Sequence, residues 1–214
     1  MAKTPHAVFS WMLVSMLVAL GACKNDGNPP PPDFSYHEGD IIFQSLPRNQ
    51  LVDAIEGVTK SPWSHCGVIM KKNDEWVVYE SLDTVRRTPL SKWIARGRNN
   101  GACEIYRLTP SISVDVEKLR TQLSSMFGKP YDYHYAPDDA EIYCSELVYK
   151  AYDHAQGIKL GTWQTLGSLD WKSFEPFILT IEDRVPLERP MITPVALTRS
   201  DLLHRVFPTT ATVR

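Results

Sequence analysis

Ile142-Tyr143-Cys144-Ser145-Glu146-Leu147-Val148-Tyr149-Lys150-Ala151-Tyr152 is the stretch on which the reading of the whole chain turns. Leu147, Val148, Ala151 and Tyr152 recur at helical spacing behind the cysteine, while Ser145, Glu146, Lys150 and Asp153 fall on the other side. That spacing predicts an amphipathic helix, with Asp138 and Asp139 expected to cap its start. A cysteine in the first helical turn meets unpaired N–H groups and the positive end of the dipole. Both stabilise a thiolate and make it nucleophilic. The same pattern suits a small buried thiol on a core helix, so Cys144 needs partners from elsewhere in the chain.

The first partners come from a hairpin signal. Ser64-His65-Cys66-Gly67-Val68-Ile69-Met70 and Glu75-Trp76-Val77-Val78-Tyr79-Glu80-Ser81 are strand-like runs separated by Lys71-Lys72-Asn73-Asp74. If that loop closes so that Met70 faces Glu75, His65 lies directly opposite Glu80 on one sheet face. Opposed Cβ atoms are about 4.5 to 5.5 Å apart, close enough for a carboxylate–imidazole hydrogen bond. A slip of one residue would put the two on opposite faces. The same alternation points Cys66 away from His65, which argues against Cys66 as the nucleophile for this histidine.

Around these segments the chain alternates short strands and helices. Ile41–Gln44 reads as a buried strand and Gln50–Gly57 as a short helix stopped by Gly57. Thr88–Ile94 reads as a helix with Pro89 early, and Cys103–Leu108 as a further strand. Val114–Phe127 reads as a helix ended by Gly128-Lys129-Pro130, burying Leu119, Leu123, Met126 and Phe127. Beyond Gly157, scattered prolines with Trp163, Trp171 and Phe174 indicate irregular structure with short elements.

The N-terminus is a separate object. Lys3 precedes a mostly apolar run from Ala7 to Leu20 that ends in Leu20-Gly21-Ala22-Cys23. A charged start, an apolar core and small residues before a cleavage point describe an export signal, too short and wrongly flanked for a stable membrane span. Leu-Gly-Ala-Cys resembles the lipobox of bacterial lipoproteins, which implies cleavage before Cys23, its diacylation and attachment to a membrane by lipid chains. The alternative is a plain signal peptide cut near Ala22. Residues 1–22 are therefore expected to be a signal, 23–37 a Pro-rich tether carrying Pro29 to Pro32, and 38–214 the folded domain. Lys24 after the lipidated cysteine points to the outer membrane, facing the periplasm.

With 43% hydrophobic and 22% charged residues over the whole chain, the composition is that of an ordinary folded protein, with 38–214 expected to form one domain. A net charge of -2 without a long basic block argues against nucleic acid as a partner. His37, His134 and His154 lack close ligand spacing to Asp138 or Asp139, so neither a metal nor another cofactor is expected. In an exported protein four cysteines raise the question of disulfides. With Cys23 lipidated and Cys144 reactive, Cys66 and Cys103 are expected as free buried thiols.

Cleaving an amide or ester through a thiolate needs a nucleophile, a base for its proton and a polar group that orients the base. Cys144, His65 and Glu80 suit those roles. Gly39-Asp40-Ile41-Ile42-Phe43-Gln44, Ser64-His65-Cys66-Gly67, Tyr79-Glu80, Thr88-Pro89-Leu90, Gly128-Lys129-Pro130-Tyr131-Asp132 and Tyr143-Cys144-Ser145-Glu146 follow one another in an order that resembles the YiiX/YaeF-like permuted papain-like amidases of the NlpC/P60 superfamily, a family also named for orthopoxvirus members. The resemblance covers about Glu38 to Gly157. It implies an α+β, circularly permuted papain-like fold in which an antiparallel sheet packs against helices and the nucleophile starts a helix. It implies Cys144 as nucleophile, His65 as base, Glu80 as orienting residue and Tyr131 as a substrate-binding side chain, a position that a packing aromatic fits as well.

The expected activity is hydrolysis of an amide bond in a peptide or cell-wall peptide through an S-acyl enzyme. A lipid thioesterase or acyltransferase on the same scaffold is the first alternative, because relatives in the wider fold group use this residue order on lipids. A non-catalytic envelope lipoprotein that binds peptide stems is the second. Neither the pattern nor the resemblance fixes the oligomeric state.

Overall fold

The His65–Glu80 hairpin sits at the middle of the sheet, and its turn sets the register. In the computed structural model, which describes residues 29–136 and 138–208, Asn73 and Asp74 both have positive φ, 51° and 63°. Two consecutive left-handed residues make the two-residue hairpin turn whose twist matches that of the flanking strands. Lys72 therefore faces Glu75 and Val68 faces Tyr79, two residues away from the register expected with a four-residue loop. A shift of two keeps every side chain on its face, whereas a shift of one would have reversed them. Continued to the strand ends, this register puts Glu80 diagonal to His65 rather than opposite it.

The elements in chain order are β1 (Asp40–Gln44), α1 (Gln50–Thr59), β2 (His65–Lys72), β3 (Glu75–Leu82), β4 (Thr84–Pro89), α2 (Leu90–Arg96), α3 (Arg98–Gly101), β5 (Cys103–Leu108), α4 (Val116–Ser125), α5 (Cys144–Gln156), β6 (Gln164–Thr165), α6 (Glu175–Ile178), β7 (Pro190–Met191), α7 (Pro194–Thr198) and β8 (Leu203–Phe207). Six strands form an antiparallel sheet in the order β4-β3-β2-β1-β5-β8, and β6 pairs with β7 separately. The class is α+β, as expected.

Alternation in the strands feeds two cores. Ile41, Phe43, Cys66, Val68, Met70, Val77 and Tyr79 pack with Leu147, Val148, Ala151 and Tyr152 of α5 and with Leu119 and Leu123 of α4. Ile42, Ile69, Val78 and Ile105 on the other face pack with Leu90 and Trp93 of α2. Leu147, Val148, Ala151 and Tyr152 have no exposed surface, and full burial of a Leu or Val side chain is worth about 1.5 to 3 kcal/mol. Helix α5 is therefore firmly seated on the sheet, and its first residue is positioned by that packing.

Several expectations are corrected. Helix α1 runs past Gly57 to Thr59, and the left-handed residue that ends it is Lys60. Phe127 is 49% exposed and lies outside the stripe that buries Leu119, Leu123 and Met126. Phe34 and Tyr36, in the stretch read as tether, pack edge-on with each other, Phe34 is edge-on to Phe207 and Tyr36 lies tilted against Trp76, so packing begins four residues before Glu38. Strand β4 follows β3 after Asp83, a turn residue with φ 59°, and the sequence reading did not include it. Cys66, Cys103 and Cys144 are free and buried, as expected. The signal segment, Cys23 and the last six residues lie outside the described residues.

Gly67 shows how tightly the central strands are set. A Cβ there would stand 2.5 Å from Val78 Cγ1 and 2.6 Å from the Tyr79 carbonyl oxygen, inside any real contact distance. Gly67→Ala is expected to cost about 1 to 3 kcal/mol by overpacking and to push β3, with Glu80, away from β2. Urea unfolding of the variant checks this, and unchanged stability would refute the close approach.

Candidate active site

Cys144 is the first residue of α5. The first bond of the helix runs from the Leu147 N–H to the Tyr143 carbonyl at 3.0 Å, so the N–H groups of Cys144, Ser145 and Glu146 precede the helical ladder. The flanking residues are pinned from several sides. Ser81 donates to the Ile142 carbonyl at 2.5 Å, and Ser145 to the Ile192 carbonyl at 2.8 Å. The Tyr143 hydroxyl accepts from Ile192 N–H at 3.0 Å, and Glu146 accepts from Tyr143 N–H at 3.3 Å. The start of the helix is thus held by its own Glu146. Asp138 and Asp139 do not cap it: Asp138 accepts from Ala140 N–H at 2.9 Å, and Asp139 pairs with Lys150.

Two side chains meet the thiol. His65, the first residue of β2, places its imidazole in hydrogen-bonding contact with Cys144. Its Nε2 lies 2.6 Å from Glu80 Oε2, which leaves Nδ1 as the nitrogen for the sulfur. Cys66, on the α5 side of the sheet, brings its thiol and its backbone N–H to the same sulfur. His65, Glu80 and Cys144 are 1%, 0% and 2% exposed, so these contacts act with little screening by water.

Glu80 is surrounded by donors. Its Oε1 accepts from Thr88 Oγ1 at 2.5 Å, Arg96 Nη1 at 3.1 Å and Arg86 Nε at 3.3 Å. Its Oε2 accepts from Arg96 Nη2 at 2.5 Å in addition to the histidine contact. Arg86 is the residue directly opposite Glu80 in the β3–β4 ladder. Trp93 covers the imidazole, with ring centroids 5.8 Å apart and planes inclined by 25°.

These contacts set the charges. The hydrogen bond from the Cys66 thiol lowers the pKa of Cys144; burial opposes it, and the contacts of His65 add to it, leaving the thiol well below its usual range. Burial disfavours the imidazolium of His65, but the hydrogen bonds and charges of Cys144 and Glu80 more than offset this and raise it to about 9. Burial also disfavours the Glu80 carboxylate, yet His65 and Arg96 hold its pKa well below the carboxylate range. Both shifts run in the direction that favours a thiolate on Cys144 beside an imidazolium on His65.

Two adjoining hollows open on this group. Around Cys144, Leu51, Ala54, Ile55, Phe177, Ile178 and Met191 belong to a largely apolar pocket of about 100 Å³. Around His65, Asn49, Gln50, Ser64 and Asp83 belong to a more polar one of about 400 Å³, which shares Leu51, Ile55, Tyr133, Phe177 and Ile181 with the first. Tyr131 lines the polar hollow beside His65, is 6% exposed and stands 3.4 Å, hydroxyl to hydroxyl, from Tyr135. At the rim of the apolar pocket, His134 and Arg189 both bond Glu182. Among the described residues, no group of three or more His, Cys, Asp or Glu is arranged to hold a metal ion.

Cys144, His65 and Glu80, chosen from sequence, are thus together. The sequence reading missed Cys66, Arg86, Thr88, Trp93 and Arg96. Cys66 was set aside because strand alternation separates it from His65; that separation does not prevent it from reaching a third residue on a helix above the sheet. Thr88 and Arg86 come from β4, whose alternating polar residues resemble an exposed edge, and Arg96 needed the rotation of α2.

The geometry can be set beside known proteins. Over 163 residues the chain is 34% identical to the YiiX protein of Escherichia coli K12, spanning 74% of this chain and 80% of that one. A crystal structure of yiiX from Escherichia coli O157:H7 superposes with a TM-score of 0.72 at 33% identity, covering 79% of this chain and 95% of that one. That E. coli protein is described as a metalloprotein. Residues 35–207 match the family model described as permuted papain-like amidase enzyme, YaeF/YiiX, C92 family. Fold, motif order and this match coincide over the same span, and the chain belongs to the YaeF/YiiX family of permuted papain-like amidases.

Proposed function

We propose that the protein is a cysteine hydrolase that cleaves an amide bond, in a peptide or cell-wall peptide, through an S-acyl intermediate on Cys144. The observation that carries this reading is the bridging position of His65, which contacts the Cys144 thiol on one side and Glu80 on the other. The thiolate attacks the carbonyl carbon, and the charge that develops on oxygen faces the N–H groups at the start of α5 that precede the helical ladder, a kind of stabilisation worth about 3 to 4 kcal/mol per donor. His65 gives its proton to the leaving nitrogen as the carbon–nitrogen bond breaks. It then takes a proton from water, which attacks the thioester and frees the acid. Glu80 keeps the imidazole oriented throughout.

The two hollows support one placement of the substrate's halves. The leaving group must lie on the side of its proton donor, His65, where Asn49, Gln50, Ser64 and Asp83 make the wall polar. The acyl half then enters the apolar pocket at Cys144. That apolar wall favours a second reading, in which the acyl group is a lipid chain and the enzyme is a thioesterase or acyltransferase. Incubation with envelope extract followed by intact-mass measurement separates the two, because a peptidyl and a fatty acyl adduct on Cys144 differ in mass. Ala54→Phe, which fills the apolar pocket from α1, is expected to lower turnover of long-chain acyl substrates about tenfold or more and to spare short acyl ones. Equal loss on both would remove the acyl-chain assignment.

The Leu20-Gly21-Ala22-Cys23 run supports a lipid anchor at Cys23 and an address in the bacterial envelope, at the outer membrane facing the periplasm. Cys23→Ala is expected to move the protein from the membrane fraction to the soluble one.

A further inference from the structure

The residues that hold Glu80 are arranged around one short helix. Helix α2 starts after Pro89, where the backbone leaves β4, and Leu90 and Trp93 bury it against the sheet. Trp93 and Arg96 are three residues apart, so they share a face of the helix. From that face Trp93 packs on the imidazole of His65, and Arg96 reaches Glu80. A single rigid turn therefore touches both members of the orienting pair.

Arg96 has a role that the other donors do not. Thr88 and Arg86 hold only Oε1 of Glu80, and His65 meets only Oε2. Among the described residues, Arg96 alone bonds both oxygens, Nη1 to Oε1 and Nη2 to Oε2. Two parallel N–H bonds from a planar guanidinium fix the plane of a carboxylate as a single donor cannot. Arg96 also places a positive charge behind a buried negative one, so Cys144, His65, Glu80 and Arg96 form a row of alternating charge. A buried carboxylate without such a partner costs several kcal/mol.

We propose that Arg96 is the positioning residue of this site: its two-pronged bond holds the Glu80 carboxylate in the plane that presents Oε2 to His65, and its charge completes the row that ends at the Cys144 thiolate. The inference rests on the reading of Cys144, His65 and Glu80 given under Proposed function. The groups that titrate or carry charge around this row are Arg86 from β4, Cys66 from β2, and Tyr131, Tyr135 and Tyr143 from the segments before α5.

The test is the pH dependence of Cys144 alkylation by iodoacetamide, which needs no substrate, together with steady-state hydrolysis of an activated acyl ester. Loss of a positive charge raises the pKa of every group in the row. In Arg96→Met the pH midpoints for forming and losing the thiolate–imidazolium pair are therefore both expected to rise, by about half a unit or more. The kcat for the ester is expected to fall about tenfold or more with KM within about twofold of wild type. Arg96→Lys retains the charge without the fork, so its midpoints stay near those of wild type while kcat remains reduced. In a Glu80→Gln background, Arg96→Met should cost little further kcat, because Arg96 acts through Glu80. If Arg96→Met fails to fold, the Arg96→Lys and Glu80→Gln/Arg96→Met proteins carry the same comparison, the latter lacking the uncompensated carboxylate. Midpoints and kcat unchanged in a folded Arg96→Met protein would overturn the role of Arg96 and leave the triad reading standing. A wild-type profile with one thiol midpoint near about 8.5, the value of an isolated cysteine, would instead remove the triad reading, and this inference with it.

Discussion

Replacing Cys144 with Ala is expected to abolish covalent labelling by an electrophilic acyl probe and to reduce hydrolysis about 10⁴-fold or more, the scale on which removing a nucleophile acts. The protein should remain folded, because Leu147, Val148 and Ala151 seat the rest of α5 in the core. Cys66 is the informative control. Its thiol is the largest influence holding Cys144 below the usual thiol range, while burial pushes its own pKa well up. Cys66→Ala should therefore retain a label on Cys144 but require a higher pH for the same rate. Mass mapping of the labelled peptide decides the matter, and adduct on Cys66 in the wild-type protein would reverse the assignment of nucleophile.

Glu80→Gln is expected to have the second largest effect. The His65 imidazolium is raised to about 9 by Cys144 and Glu80 against the penalty of its burial. Removing the negative charge should lower it by roughly one to two units, so the alkaline limb of the rate profile moves down by that amount. Activity at neutral pH should fall about 10- to 100-fold while the nucleophile survives. The stability consequences follow from linkage. The folded pKa of His65 lies above its unfolded value of about 6.5; its contribution is whole below that value and is lost as pH rises through about 9. Glu80 is depressed instead, so its contribution is present above its unfolded value of about 4.3 and is lost as pH falls. Urea unfolding from pH 3 to 10 should show both slopes in wild type. Glu80→Gln should make both the acid and the alkaline slopes shallower, and an unaltered acid slope would mean that Glu80 does not contribute to it.

Part of this site was legible because it depends on periodicities that local sequence carries. The helical spacing behind Cys144 located α5, which starts at Cys144 and runs on past the quoted stretch to Gln156. The alternation of β2 and β3 put His65 and Glu80 on one face even though the assumed turn was two residues too long, because side-chain facing repeats every two residues. The order of motifs pointed to the fold that the family match places over residues 35–207.

What the tertiary structure decided is contact between segments distant in the chain. Sequence could propose Cys144 and His65 as partners, but only the seating of α5 on the sheet brings that thiol to that imidazole. The same packing brings Cys66 to Cys144, from the strand face opposite to the one alternation gave His65. Arg96 reaches Glu80 only because α2 folds back across β3 and β4. Residues Lys172–Arg189 have no periodicity to read, yet Phe177, Ile178 and Glu182 wall the pocket beside Cys144. Local pattern thus determined which residues are helix, strand and candidate nucleophile. Burial and ion pairing across the fold determined which of them act on one another, because the low-dielectric contacts that shift a thiol, an imidazole and a carboxylate exist only once water has been excluded around all three.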